Sequence, residues 1–285
     1  MGENQIIVNA YAKLNLSIDV LGKRSDGYHQ VSMLMQSISL HDEVSIYPSN
    51  GLTVECNNAA VPSGPDNLAY KAAELLKRET NYEGGARIVI NKNIPVAAGL
   101  AGGSSDAAAV MLALNNLWGL RLTIGRLGHL AGRLGSDIPF CLLGGTCLAT
   151  ERGERLTLLP PAPHFWLVLA KPDFGVPTAQ VYDNFDPQKV QKRPNNRVAV
   201  KAIEAGDREL LLQGMENVLE SSTFRLYPQV EEIKELMYRY GVEKAMMCGS
   251  GPTVFGIARG KSHASEIVRR LQERNGIFVQ VAETI

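Results

Sequence analysis

Two glycine-rich stretches, one lysine and one aspartate are the parts of this 285-residue chain whose types and spacing could do chemistry. The longer stretch reads Pro95-Val96-Ala97-Ala98-Gly99-Leu100-Ala101-Gly102-Gly103-Ser104-Ser105-Asp106-Ala107-Ala108, between a strand pattern and an alanine-rich helical pattern. Glycines at a helix start let the backbone approach a ligand, and the first amides, at the positive end of the helix dipole, attract phosphate. Ser104 and Ser105 add hydroxyls. No G-K-[ST] follows and no G-x-G-x-x-G is present, which excludes a Walker loop and a dinucleotide fingerprint. A glycine-rich turn with a serine cap is the plainer alternative; the length and the density of small residues favour a phosphate cradle.

Lys13 stands in Ala10-Tyr11-Ala12-Lys13-Leu14-Asn15, where an outward-facing charge is one reading. Asp137, in Gly135-Ser136-Asp137-Ile138-Pro139-Phe140, also reads as a turn or N-cap residue. Meeting at a phosphate cradle, the two would make a phosphoryl-transfer site. The carboxylate would take the acceptor hydroxyl's proton, and the ammonium would offset charge at the reacting oxygens. The second stretch, Met247-Cys248-Gly249-Ser250-Gly251-Pro252-Thr253, is either a tight turn between strands or a backbone wall against the same ligand. Tyr28 beside His29 offers a stacking ring and a two-sided hydrogen-bonding ring that could read a base edge. The five histidines and four cysteines show no H-E-x-x-H and no C-x-x-C, so no protein-held metal is expected. Asp106 reads as a dipole partner in the first turn of its helix.

The elements that must position these residues follow from periodicity. Apolar residues over Ile6–Ala12 and alternating Leu14, Leu16, Ile18 and Val20 predict strands, the second half-buried. Strands over Val31–Ile38 and Glu43–Tyr47 come next. A helix capped by Asp66 carries Leu68, Ala72, Leu75 and Leu76, and a strand over Arg87–Ile90 enters the glycine-rich loop. Helices are expected from Ser104 to Trp118 and from Thr123 to Gly135. Pro160–Pro163 is the candidate domain joint. Beyond it the order is a strand over Phe165–Ala170, helices over Asn196–Ala205, Arg208–Leu219 and Gln229–Tyr240, and strands over Ala245–Cys248 and Thr253–Ala258. A helix over Ser262–Asn275 and a strand over Ile277–Val281 follow, an α+β layer of helices on an antiparallel sheet.

Composition narrows the class further. Hydrophobic residues make up 45% and charged residues 20%, values of a globular chain long enough for about two domains. Lys+Arg and Asp+Glu both number 29, so no basic field for nucleic acid or an anionic membrane is built in. The absence of a leader pattern and of paired cysteines leads to the expectation of a cytoplasmic protein with reduced thiols.

Ala12-Lys13-Leu14-Asn15, the Pro95–Ala108 loop and Gly249-Ser250-Gly251-Pro252-Thr253, in this order, resemble the three motifs of the galactokinase, homoserine, mevalonate and phosphomevalonate (GHMP) kinase superfamily. Within it, Ala12–Leu16 together with Asp26-Gly27-Tyr28-His29 is similar to the branch whose acceptor is 4-diphosphocytidyl-2-C-methyl-D-erythritol. The resemblance spans nearly the whole chain. It implies a two-domain α+β fold: an N-terminal β-α-β domain of the ribosomal-protein-S5 type over 1–160, a C-terminal ferredoxin-like α+β domain over 161–285, and an active site in the cleft between them. It also implies that ATP, with Mg²⁺ accompanying the nucleotide, phosphorylates the acceptor's 2-hydroxyl in the non-mevalonate route to isoprenoids. Lys13 and Asp137 fall on the catalytic pair, Pro95–Ser105 on the ATP loop, and Asn15, Tyr28, His29 and Tyr182 on the acceptor side, with Tyr28, His29 and Tyr182 at the cytosine. The implied partners are small molecules, neither nucleic acid nor membrane. One departure is Ala101, where many members have glycine. At positive φ its Cβ would cost on the order of 1–2 kcal/mol, so an ordinary negative φ is expected there. A kinase acting on mevalonate or homoserine would have no use for two base-stacking rings, and an idle nucleotide-binding module would be expected to lack Lys13 or Asp137.

Overall fold

A computed structural model describes residues 5–285. Residues 1–4, part of the stretch in which a leader would begin, lie outside them. The chain opens with β1 (Ile6–Lys23), a single 18-residue strand where the pattern predicts two. β2 (His29–Ser49) likewise runs unbroken through the two strands expected there. β3 (Leu52–Cys56) leads to α1 (Leu68–Thr80), capped by Asn67 rather than Asp66, since the Asn67 side chain accepts the Ala69 amide. β4 (Gly85–Asn91) precedes α2 (Gly102–Leu117), α3 (Ile124–Ala131), α4 (Ile138–Leu143), β5 (Thr146–Glu151) and β6 (Arg155–Leu158). Then come β7 (Trp166–Pro172), α5 (Thr178–Asp183), α6 (Asn196–Ala205), α7 (Arg208–Gly214), α8 (Glu220–Leu226) and α9 (Pro228–Arg239). β8 (Lys244–Met247), β9 (Val254–Ala258), α10 (Lys261–Gln272) and β10 (Ile277–Glu283) close the chain.

These elements form two compact units, each drawn from separated segments. Of the described residues, the first holds 5–12, 40–96 and 101–144. In it the second half of β2 pairs antiparallel with β4, and β4 pairs parallel with β3. The alternating residues Val44, Ile46, Ile88 and Ile90 bury one face against α1 and α2. The small residues Ala69, Ala72, Ala73, Ala107, Ala108 and Ala109 let the helix backbones come close in this core.

The second unit holds residues 13–39, 97–100 and 145–285. Here the first half of β2 pairs with β5, and β5 with β6. A separate four-stranded antiparallel sheet runs β10-β7-β9-β8, with α9 and α10 packed on it. Two expectations need correction in this unit. β1 is covered on both faces from Lys13 to Asp19, so it is not the half-buried strand its alternation suggests. α7 stops at Gly214 rather than Leu219, because the next residues pair with β1: the Ile18 amide donates to Glu216 O at 2.9 Å and the Val218 amide to Ile18 O at 3.1 Å.

Candidate active site

The polar face of β1 carries several of the residues that the sequence singles out, within the second unit. Lys13, Asn15, Ser17 and Asp19 alternate with its apolar residues and are all buried. Burying polar groups is costly unless they are hydrogen-bonded, and partners are present. Lys13 Nζ donates to Asn15 Oδ1 at 3.0 Å, Ser17 bonds Asn196, and Arg193 donates to Asp19 Oδ1 at 2.6 Å. Burial raises the pKa of Asp19 while Arg193 opposes that rise.

The glycine-rich loop meets this strand through its backbone. The Lys13 amide donates to Leu100 O at 3.1 Å. Ala97, Gly99 and Ala101 all adopt left-handed conformations, with φ of +52°, +76° and +61°. The negative φ expected for Ala101 is therefore wrong. Alternation of left-handed residues turns the chain sharply enough to bring the loop against strand β1 and then launch α2, and the surrounding packing carries the cost of the Ala101 Cβ. Gly99 admits no side chain: a Cβ would sit 2.4 Å from Cys248 O and 2.9 Å from Gly251 O. Gly249, at φ +58°, faces the same place, since a Cβ there would lie 3.2 Å from Gly99 O and 3.6 Å from Lys13 Nζ. Lys13, Asn15, Gly99 and the Gly249–Gly251 turn are thus brought together. The turn is held by Asn217, whose Nδ2 donates to Met247 O at 2.9 Å and to Gly249 O at 2.8 Å. Asn217 is not among the residues that the sequence singles out. An asparagine among helical patterns carries no periodic signal, and its role depends on the crossing with β1.

In the first unit, α2 opens at Gly102, two residues before the predicted start, and Ala101 in the cap position provides no side-chain acceptor. The amides of Gly102, Gly103 and Ser104 therefore have no capping side chain, the arrangement that suits an anion. Ser105 is buried, and its hydroxyl lies 2.7 Å from Tyr11 O and 3.1 Å from Ala101 O, tying the helix to β1. Asp106 is not a first-turn dipole partner. It is buried one turn further in, 2.9 Å from Lys92 Nζ, and Lys92 also bonds Asp42. Asp42 Oδ1 accepts from the Asn93 and Ile94 amides, whereas Asp106 Oδ1 is buried with no partner. Burial pushes the Asp106 pKa up to about 7, with Asp42 adding to the rise and Lys92 opposing it. Lys92 is disfavoured by burial, but the two carboxylates outweigh that and raise its pKa. Two carboxylates share one ammonium, and Asp42 is the better hydrogen-bonded, so the proton belongs on Asp106. A Cβ at Gly102 would come within 2.9 Å of Lys92 Nζ, pinned by both acids, and 3.1 Å of Ile94 Cγ2.

Asp137 occupies the N-cap position of α4 but its carboxylate does not cap the helix, so the cap role is not what holds it. The His29 and Tyr182 rings, both expected on the acceptor side, lie together with centroids 5.1 Å apart. Burial and the nearby Lys23 charge lower the His29 pKa. Tyr28 is 56% exposed and carries the Arg152 guanidinium 5.0 Å over its ring. The ring that the structure places beside Tyr182 is thus His29. Among the described residues no group of three His, Cys, Asp or Glu side chains is assembled to hold a metal.

Comparison with known proteins decides the family. The description "GHMP kinases N terminal domain" matches residues 67–145, and "GHMP kinases C terminal" matches 199–276. A 4-diphosphocytidyl-2-C-methyl-D-erythritol kinase of Moorella thermoacetica is 48% identical over 268 residues, covering 93% of this chain and 94% of the relative. The chain belongs to the 4-diphosphocytidyl-2-C-methyl-D-erythritol kinase family. The kinase of that name from Bacillus pumilus is also 48% identical, over 94% of this chain and 93% of its own length. A crystal structure of 4-(cytidine 5'-diphospho)-2C-methyl-D-erythritol kinase superposes with a TM-score of 0.82 at 34% identity, covering 97% and 99% of the two chains. Homoserine kinase from Cytophaga hutchinsonii, at 19% identity and a TM-score of 0.76 over 100% of this chain and 96% of that one, shares the fold. The two-domain α+β fold is that of the GHMP kinases.

Proposed function

We propose that this member of the family transfers the γ-phosphoryl group of ATP to the 2-hydroxyl of 4-diphosphocytidyl-2-C-methyl-D-erythritol, giving the 2-phosphate and ADP, in the non-mevalonate route to isoprenoid precursors. The observation that carries the reading is the convergence of the Lys13–Asn15 pair, Gly99 and Gly249. A buried, fixed ammonium beside a glycine-lined turn is suited to charge that develops during phosphoryl transfer. In this proposal residues 95–105 cradle the ATP phosphates through backbone amides, and Mg²⁺ arrives with the nucleotide as part of the substrate. Asp137 accepts the proton of the tertiary hydroxyl, a poor nucleophile without a base. Lys13 is its charge partner, and Asn15 orients the lysine and the acceptor. Tyr182 and Tyr28 supply faces for the cytosine, and His29 reads its edge.

The division of the chain at 160/161 belongs to the same proposal, supported by the two matched segments falling on either side. So does a cytoplasmic location with small-molecule partners and neither nucleic acid nor membrane: charge is balanced, with 29 Lys+Arg against 29 Asp+Glu, and among the described residues no helix is long and apolar enough to cross a membrane. The test is ATP consumption by the purified protein with the cytidyl acceptor, mevalonate or homoserine. Turnover confined to the cytidyl acceptor is expected; faster turnover of mevalonate or homoserine would overturn the assignment.

A further inference from the structure

Lys171, near the end of β7, is a buried lysine that the proposed chemistry does not use. Its Nζ donates to Pro172 O at 2.8 Å and to Phe174 O at 2.9 Å, so the chain after β7 curls around the ammonium. Burial lowers its pKa, with Asp173 opposing. A buried cation is retained at a cost, and it must be satisfied by acceptors held in place. Here those acceptors are carbonyls of the segment that it shapes.

That segment reaches both sides of the site. A Cβ on Gly175 would stand 2.8 Å from the Ala97 Cβ, so the methyl of a left-handed residue in the phosphate loop fills the space a side chain at 175 would need. Two residues after Val176, α5 begins, and Thr178 Oγ1 lies 2.9 Å from Ser250 Oγ in the second glycine-rich turn. The Phe174 ring stacks on Tyr227 with centroids 5.7 Å apart, and the Tyr227 hydroxyl donates to Gln180 in α5 at 2.7 Å. The same helix carries Tyr182 to His29.

We propose that Lys171 is a positioning residue: by gathering the Pro172 and Phe174 carbonyls it shapes a strap, residues 172–177, that seats Gly175 on Ala97 and delivers Tyr182 on α5, so one element sets both the donor loop and the acceptor ring. This deepens the kinase reading and rests on it for the naming of the two subsites.

The test is a double-mutant cycle on nucleotide affinity, measured by calorimetry with a non-hydrolysable ATP analogue, which needs no acceptor. Gly175→Ala is expected to weaken binding about tenfold. Ala97→Gly in the same chain makes room for the new methyl and should return the affinity to that of Ala97→Gly alone. Lys171→Met keeps the length of the side chain and removes its donors. Although the hydrogen bonds it removes go to Pro172 and Phe174 and not to the loop, it should raise the analogue's Kd and the acceptor KM together, and Lys171→Arg should recover part of both. Additive effects in the cycle, or variants that lose thermal stability while binding the analogue as the wild type does, would overturn the strap. If Lys171→Met does not fold, Lys171→Arg takes its place: a rise in both the analogue's Kd and the acceptor KM is expected, and wild-type values of both would overturn the role of Lys171. A wild-type protein that binds the analogue but does not turn over the cytidyl acceptor would sink the kinase reading, while the coupling between Gly175 and Ala97 would still decide the strap.

Discussion

Lys13 and Asn15 lie two residues apart on one buried face of β1, and the lysine ammonium donates to the asparagine side-chain oxygen at 3.0 Å. The alternation of a strand puts both on the same side. The amide nitrogen of Asn15 is directed to Met33 Sδ at 3.6 Å, which orients the oxygen toward Lys13. The ammonium is therefore held in place before any substrate arrives, and four consequences of this and the neighbouring geometry can be measured.

The chemical step separates two aspartates. Asp137→Asn is close in shape and removes only the proposed proton acceptor, so kcat should fall about 10²–10⁴-fold while both substrates still bind. Asp106→Asn, buried and tied to Lys92, should change kcat only about a few-fold. Both are read at saturating ATP and acceptor. A crippled Asp106→Asn beside an active Asp137→Asn would reverse the assignment.

The buried cluster predicts a sign for stability against pH. Asp106 has a folded pKa raised from 3.8 to about 7, chiefly by burial, so between those values the folded state binds more protons than the unfolded one. Its contribution is fully present below pH 3.8 and is lost as pH rises through about 7. Asp106→Asn cannot titrate. The melting temperature of the variant minus that of the wild type should therefore increase from pH 5 to pH 8. A difference that stays flat across this range would show that Asp106 is ionised throughout.

Tyr182→Ala removes a ring beside His29 that is proposed to stack on the cytosine, and should raise the acceptor KM by the equivalent of about 1–3 kcal/mol, the scale of base–aromatic stacking. The ATP KM should stay near its wild-type value. A variant whose ATP KM rises while the acceptor KM does not would place Tyr182 on the wrong substrate.

Asn217→Ala leaves the Met247 and Gly249 carbonyls without their donor in a buried place. The expected loss is about 1–3 kcal/mol of unfolding free energy, read from urea titration. Because Gly249 lines the space beside Lys13, kcat should fall as well. Full stability in the variant would mean that the turn holds itself.

Much of this architecture is legible in local patterns. The α6 boundaries, the start of α3 next to Thr123 and the strands of the second sheet follow apolar periodicity closely, because each element buries one face against a continuous core, whereas α3 ends at Ala131, short of the expected Gly135. The loop, Lys13 and the glycine turn are visible because glycines that allow close backbone approach and a lysine in an apolar strand are unusual residue choices. Where strands end is less legible: β1 and β2 run through their polar residues, since hydrogen bonds from distant segments let those residues be buried.

Other features arise from residues far apart in sequence. The positive φ of Ala101 is imposed by the path of the loop from β4 into α2, and packing overrides the local preference of an alanine. Asp106 and Lys92 are 14 residues apart and Asp42 lies 50 residues before Lys92, so no local window shows that three ionisable groups share one buried spot. Asn217 and the Gly175–Ala97 seat are likewise invisible until the chain is folded. Propensity and periodicity act over a few residues and specify elements, while charge pairing, hydrogen-bond satisfaction and close approach depend on which elements meet.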